Sequence, residues 1–97
     1  MSMHNPPHPG EFIADVYMEP FGYSCRYVAK KLSVSASTLN RVLKCRSSIT
    51  PDMALRLSKT LGRTPESWLA MQDNYDLWQA KQNINLAEVE RIDFAVA

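Results

Sequence analysis

The sequence predicts an all-α fold: five helices in one domain, followed by a C-terminal extension. Three observations carry that expectation. Apolar residues recur at spacings of three and four, the period of one helix face. Helix-start signals, a Ser or Thr cap sometimes followed by proline, recur along the chain. No alternating strand pattern occurs before residue 83. With 97 residues, 45% hydrophobic and 22% charged, the chain has the composition of one domain with a modest core.

Residues 1–8 read as an N-terminal arm, and residues 9–82 as the domain. Pro9-Gly10 precedes "EFIADVYME", where Phe12, Ile13, Val16 and Tyr17 form an apolar stripe. "PFGYS" ends this first helix, because Pro20 lacks an amide hydrogen and Gly22 tolerates positive φ. Ser24 caps a second helix, "CRYVAKKL", with Tyr27, Val28 and Leu32 as its stripe. After a tight "SVS" link, Ser35 caps a third helix whose Leu39, Val42 and Leu43 face inward. "TPDMAL" and "TPESWL" start the fourth and fifth helices. In each, Thr is the cap, proline occupies the first turn without cost, and the next acid complements the helix dipole. The fourth helix spans about Pro51 to Thr60, with Met53, Ala54, Leu57 and Leu61 apolar, and Gly62 ends it. The fifth carries Trp68, Leu69, Tyr75, Leu77 and Trp78 and runs to about Lys81 or Gln82.

The tail, residues 83–97, fits two readings. Leu86, Val89 and Ile92 recur at helical spacing, whereas Arg91 to Val96 alternates as a short strand would. Either way its apolar residues call for packing on the body, on a second subunit or on a partner.

A net charge of +1 hides an asymmetry. Between Pro20 and Pro51 lie six basic residues, Arg26, Lys30, Lys31, Arg41, Lys44 and Arg46, and no acidic one. A polyanion is therefore drawn to the middle of the chain. The segment Cys25 to Leu43 reads helix, three-residue turn, helix, with Val28, Ala29, Leu32, Val34, Leu39 and Val42 inward. That is the pattern of a DNA-binding helix-turn-helix. The outward face of the third helix then shows Ser35, Ser37, Thr38, Asn40 and Arg41 as base-contact candidates. Short hydroxyls reach base edges or phosphates, asparagine pairs with adenine, and arginine forks onto guanine. Arg26, Lys30, Lys31, Lys44, Arg46, Ser47, Ser48 and Thr50 are the phosphate-contact candidates. The competing reading is a plain all-α core domain whose third helix is merely polar outside.

Other classes find little support. No nucleophile has a nearby base, no carboxylates pair, and only three glycines are available for a phosphate loop, so an enzyme is not expected. His4 and His8 flank a non-helical "NPP", and Cys25 and Cys45 lie twenty positions apart, so neither pair matches a metal site. We expect no cofactor, no metal, and a solvated arm around both histidines. The N-terminus lacks a basic n-region and an apolar h-region, and no run is long enough to span a bilayer. A cytoplasmic protein without membrane contact is the expectation.

The stretches "HPGEFI", "VAKKLSVSASTLNRVL", "ITPDMALRLSKTLG" and "RTPESWLAMQDNYDLWQA" together resemble a HigA-type antitoxin of type II toxin–antitoxin systems, in the XRE, or phage-repressor-like, helix-turn-helix superfamily. The resemblance covers about residues 8–80. It implies an all-helical, commonly dimeric protein that binds palindromic operator DNA in its own operon. It also implies a HigB-type toxin partner, an mRNA-cleaving RNase. Base contacts would come from the start of the third helix, here Ser35, Ser37, Thr38 and Arg41. The alternative is a stand-alone helix-turn-helix repressor without a toxin. This chain departs from the pattern at Ser33 and Cys45, where glycine is usual, and at Cys25, where glutamine is common and Arg26 could substitute. Two-fold symmetry doubles the base contacts of one module. A homodimer is therefore expected, with the fifth helix and the tail as its candidate interface.

Overall fold

In the computed structural model, residues 5–95 are described. Helix α1 (Pro9–Phe12) continues into a π turn (Ile13–Met18) and a 3₁₀ turn (Glu19–Phe21). Then follow α2 (Cys25–Leu32), α3 (Ala36–Leu43), α4 (Pro51–Leu61) and α5 (Pro65–Asn83). Among the described residues there is no strand. The all-α, five-helix expectation therefore stands, and each expected cap is in place. Ser24, Ser35, Thr50 and Thr64 each accept a hydrogen bond from the backbone N–H three residues on, satisfying donors that a helix start leaves open.

The core lies where α2 packs on α3, α4 on α5, and α1 across α3 and α5. Ile13, Leu39, Ala54, Leu57 and Trp68 are wholly buried. The Trp68 indole N–H donates to the Gly62 carbonyl at 2.9 Å, so the largest core side chain leaves no polar atom unpaired.

Three expectations change. The first helix is α-helical for only one turn. In the π turn the Glu19 N–H bonds to the Ala14 carbonyl, five residues back. That wider turn brings Ile13 and Met18 to one face, where both are buried, while Val16 is left exposed. Tyr27 likewise lies outside the core; Val28, Ala29 and Leu32 supply the buried face of α2.

His8 is not part of a solvated arm. It is 2% exposed. Its Nδ1 accepts from the Gly10 N–H at 2.9 Å, capping α1. Its ring meets Tyr75 edge-on, with centroids 4.8 Å apart. Burial pushes its pKa below the ordinary 6.5, although Asp76, the Ser47 backbone and Glu11 pull the other way. His4 lies outside the described residues. Gly10, two positions on, is buried against α3, where an added Cβ would stand 1.9 Å from the Val42 carbonyl oxygen. "HPGE" is thus a docking device. His8 caps, Pro9 starts the turn, and Gly10 lets α1 lie directly on the end of α3.

The tail is the third change. Beyond Asn83, residues 84–95 adopt neither helix nor strand and are exposed throughout. They do not pack on the chain's own body. The Cα radius of gyration is 17.1 Å, against about 12.5 Å for a compact domain of this length. No helix among the described residues is long and apolar enough to cross a membrane.

Candidate DNA interface

The helix-turn-helix is built by α2, α3 and the turn between them, and α4 holds it. Helix α2 ends at Ser33, which takes the left-handed conformation (φ 59°). The Ser33 N–H donates to the Lys30 carbonyl and the Val34 N–H to the Ala29 carbonyl, a Schellman closure that satisfies the last carbonyls. The Leu32 and Ser33 carbonyls are taken up from α4. Arg56 Nη1 donates to both at 3.0 Å, while its Nε donates to Asp52 Oδ1 at 2.6 Å. Thr60 donates to the Lys31 carbonyl at 3.4 Å. A guanidinium thus sits at the negative end of α2, where a cation is favoured.

Helix α3 starts at Ser35, whose Oγ accepts from the Thr38 N–H at 3.0 Å and shares a 2.8 Å hydrogen bond with the Thr38 hydroxyl. The Cys25 thiol donates to the Ala36 carbonyl at 3.6 Å, joining the first turns of α2 and α3. Helix α3 also ends on a left-handed residue, Cys45 (φ 61°). The Cys45 N–H reaches the Val42 carbonyl and the Arg46 N–H the Arg41 carbonyl. The two departures from glycine therefore hold the conformation glycine would have supplied. Burial, with Glu11 nearby, pushes the Cys45 thiol up in pKa.

The structure sorts the base-contact candidates. Ser37, Asn40 and Arg41 are exposed along α3. Ser35 and Thr38 hold each other and the helix start, so their hydroxyls are partly spent on structure. Among the phosphate candidates, Arg26, Lys30, Lys44, Arg46 and Ser48 are exposed, and Ser47 is half-buried. Thr50 commits its hydroxyl oxygen to capping α4. Lys31 lies over the Tyr27 ring, 5.4 Å from its centroid, in a groove shared with α4. Arg56, His8 and Gly10 are positioning residues that sequence reasoning did not assign. The acid-before-base pair Asp52 and Arg56 at i, i+4 was a legible signal. The reach of Arg56 to the turn was not.

A helix-turn-helix family model matches residues 17–69, more than half of the chain. The chain belongs to the helix-turn-helix family. Among relatives in it, Virulence-associated protein I of Dichelobacter nodosus is 44% identical over 82 residues, covering 81% of this chain and 76% of that one. The solved structure of the antitoxin GraA is 36% identical with a TM-score of 0.87, and covers 93% of this chain and 100% of that one. The Pseudomonas aeruginosa antitoxin HigA, solved with the higBA promoter, is 31% identical with a TM-score of 0.80, covering 92% and 98%. Within the helix-turn-helix family, the resemblance to HigA-type antitoxins is thus upheld along nearly the whole chain.

Proposed function

We propose that this chain is a HigA-type antitoxin that binds operator DNA in its own operon as a homodimer and neutralises a HigB-type mRNA-cleaving toxin. The observation that carries the reading is an acid-free helix-turn-helix whose α3 exposes Ser37, Asn40 and Arg41. Its likeness to a HigA solved with promoter DNA supports it. Helix α3 enters the major groove. Arg41 forks onto a guanine, Asn40 pairs with an adenine, and Ser37 reaches a base edge or a phosphate. Ser35 and Thr38 present the helix start, with their remaining donors toward the backbone. Arg26, Lys30, Lys44, Arg46, Ser47 and Ser48 neutralise phosphates and set the register. Arg56 keeps the angle between α2 and α3 fixed, so the base-reading side chains arrive pre-ordered. The chain acts by binding and not as an enzyme, needs no cofactor, and works in the cytoplasm.

The test is binding to the DNA just upstream of the protein's own operon, by fluorescence anisotropy across a salt series, with an unrelated duplex as control. The expected log affinity falls linearly with log salt, at about −0.9 per phosphate neutralised. The upstream duplex is preferred by at least about a thousandfold. Equal, weak binding to both duplexes would contradict DNA recognition. Failure of the neighbouring gene product to bind the chain would leave the stand-alone repressor.

A further inference from the structure

One row of side chains leads from the turn before α2 along that helix. Phe21 stacks on Tyr23, with centroids 5.5 Å apart and planes 15° from parallel. Tyr23 packs on Tyr27 at 5.0 Å, and the Lys31 Nζ lies over the Tyr27 ring, 5.4 Å from its centroid. The core does not use these rings: Phe21 is 62% exposed, and Tyr23 and Tyr27 are each 45% exposed. The row is thus ordered by its own contacts while its outer side faces water. Exposed apolar surface of this kind marks a binding site more often than isolated surface residues do.

Tyr23, Tyr27 and Lys31 form one wall of an open groove of ≈ 760 Å³ between α2 and α4, and Leu55, Lys59 and Leu61 form the other. That volume, with a mostly apolar lining and a few polar groups, is the character of a small-molecule site. Every charged side chain in the lining is a cation, Lys31, Arg56 or Lys59. Arg56 is engaged with Asp52 and with the Leu32 and Ser33 carbonyls. Lys31 and Lys59 are exposed, and the one ion pair among the described residues, Arg56 with Asp52, leaves both without a carboxylate. The groove therefore offers stacked rings on one side, an aliphatic wall on the other, and one ammonium from each helix.

We propose that the α2–α4 groove binds a small aromatic carboxylate. Its flat rings lie against Tyr23 and Tyr27 and opposite Leu55, and its carboxylate sits between Lys31 and Lys59. A ring face on a tyrosine pair gains stacking beyond the area it buries, and a charge-assisted hydrogen bond to an ammonium is the stronger kind. A cation of the same shape would meet two like charges. The site stands apart from the DNA face, because α3 contributes nothing to it. It adjoins the helix-turn-helix turn, because Ser33 and Arg56 line the same groove. Lys31, stacked on Tyr27, serves the groove rather than a phosphate.

The test is titration of the ¹⁵N-labelled full chain with 2-naphthoate, which has two fused rings to cover the tyrosine pair and one carboxylate, followed by amide shifts in NMR. Saturable shifts are expected at Tyr23, Tyr27, Lys31, Ser33, Leu55 and Lys59, with a Kd of about 0.5 mM for a probe of so few atoms. The neutral 2-naphthalenemethanol binds about tenfold more weakly, as loss of a charged hydrogen bond requires. Lys59→Glu weakens 2-naphthoate at least about tenfold, whereas Lys81→Glu, on α5 and outside the groove, leaves its affinity unchanged. Lys59 and Lys81 are both exposed, so neither change threatens folding. Decahydro-2-naphthoate, of like charge but without aromatic rings, binds more weakly; equal affinity would overturn the stacking. Shifts that stay linear to about 5 mM, ten times the expected Kd, would overturn the site. So would shifts centred on α3, or a Lys59→Glu affinity equal to wild type, since both would mean that the anion is drawn by net charge alone.

Discussion

A methyl group at position 10 would stand 1.9 Å from the Val42 carbonyl oxygen. Both partners are backbone, so neither can swing aside as a side chain could. Gly10→Ala should therefore destabilise the protein by about 3 kcal/mol, read as a shift in urea midpoint without a change in slope. His8 makes a prediction of a different kind. Its folded pKa lies below the ordinary 6.5 because burial disfavours the charged ring. The unfolded chain therefore takes up the proton first as pH falls. The histidine's contribution is complete above pH 6.5 and is lost as pH drops through the lower folded value. Wild type should lose more stability than His8→Asn between pH 7.5 and pH 5.5, since asparagine can also cap α1 but does not titrate there. Equal losses in urea titrations at the two pH values would contradict this account of His8. Neither residue's role was legible beforehand. "HPGE" marked a family, but only the packing of α1 on α3 shows that the motif holds the end of the recognition helix.

At the scale of the element, the turn between α2 and α3 concentrates several costs in three residues. Ser33 is left-handed, a conformation in which a Cβ crowds the following carbonyl. Ser33→Gly relieves that crowding and keeps the carbonyl that Arg56 holds. It should raise stability by about 0.5–1 kcal/mol, measured by thermal unfolding; a loss would show that the serine side chain does more than occupy the turn. The helix starts were readable because a cap is local chemistry: Ser or Thr followed three residues later by a free N–H. The inward positions of α3 and α4, and of α2 apart from Tyr27, were readable for the same reason, since periodicity is local. The π turn was not. It forms because Ile13 and Met18 both have a buried place to fill, and that place is made by distant elements. The Arg56 clamp spans more than twenty positions to Leu32 and Ser33, so no window of sequence contains it.

For the whole molecule, the asymmetry of charge was legible at once, and it lies on the helix-turn-helix and its flanks. The tail was half legible. Its apolar content called for something to cover it, yet neither the helical nor the strand pattern survives in residues 84–95, which are irregular, with turns, and exposed. The same holds at the DNA face. Five base-contact candidates could be named from the outward face of α3, but which of them are committed to capping is decided by the Ser35–Thr38 hydrogen bond.

The central claim is that α3 reads base edges through its exposed side chains, with Arg41 foremost. Its most direct test is the affinity of Arg41→Ala for the upstream operator and for an unrelated duplex at one salt concentration, with Lys44→Ala alongside. The account predicts that Arg41→Ala loses about 1–3 kcal/mol on the operator and tolerates a changed base at one position. Lys44→Ala should weaken both duplexes about equally. Operator affinity unchanged by Arg41→Ala, with base choice intact, would contradict the placement of α3 in the groove.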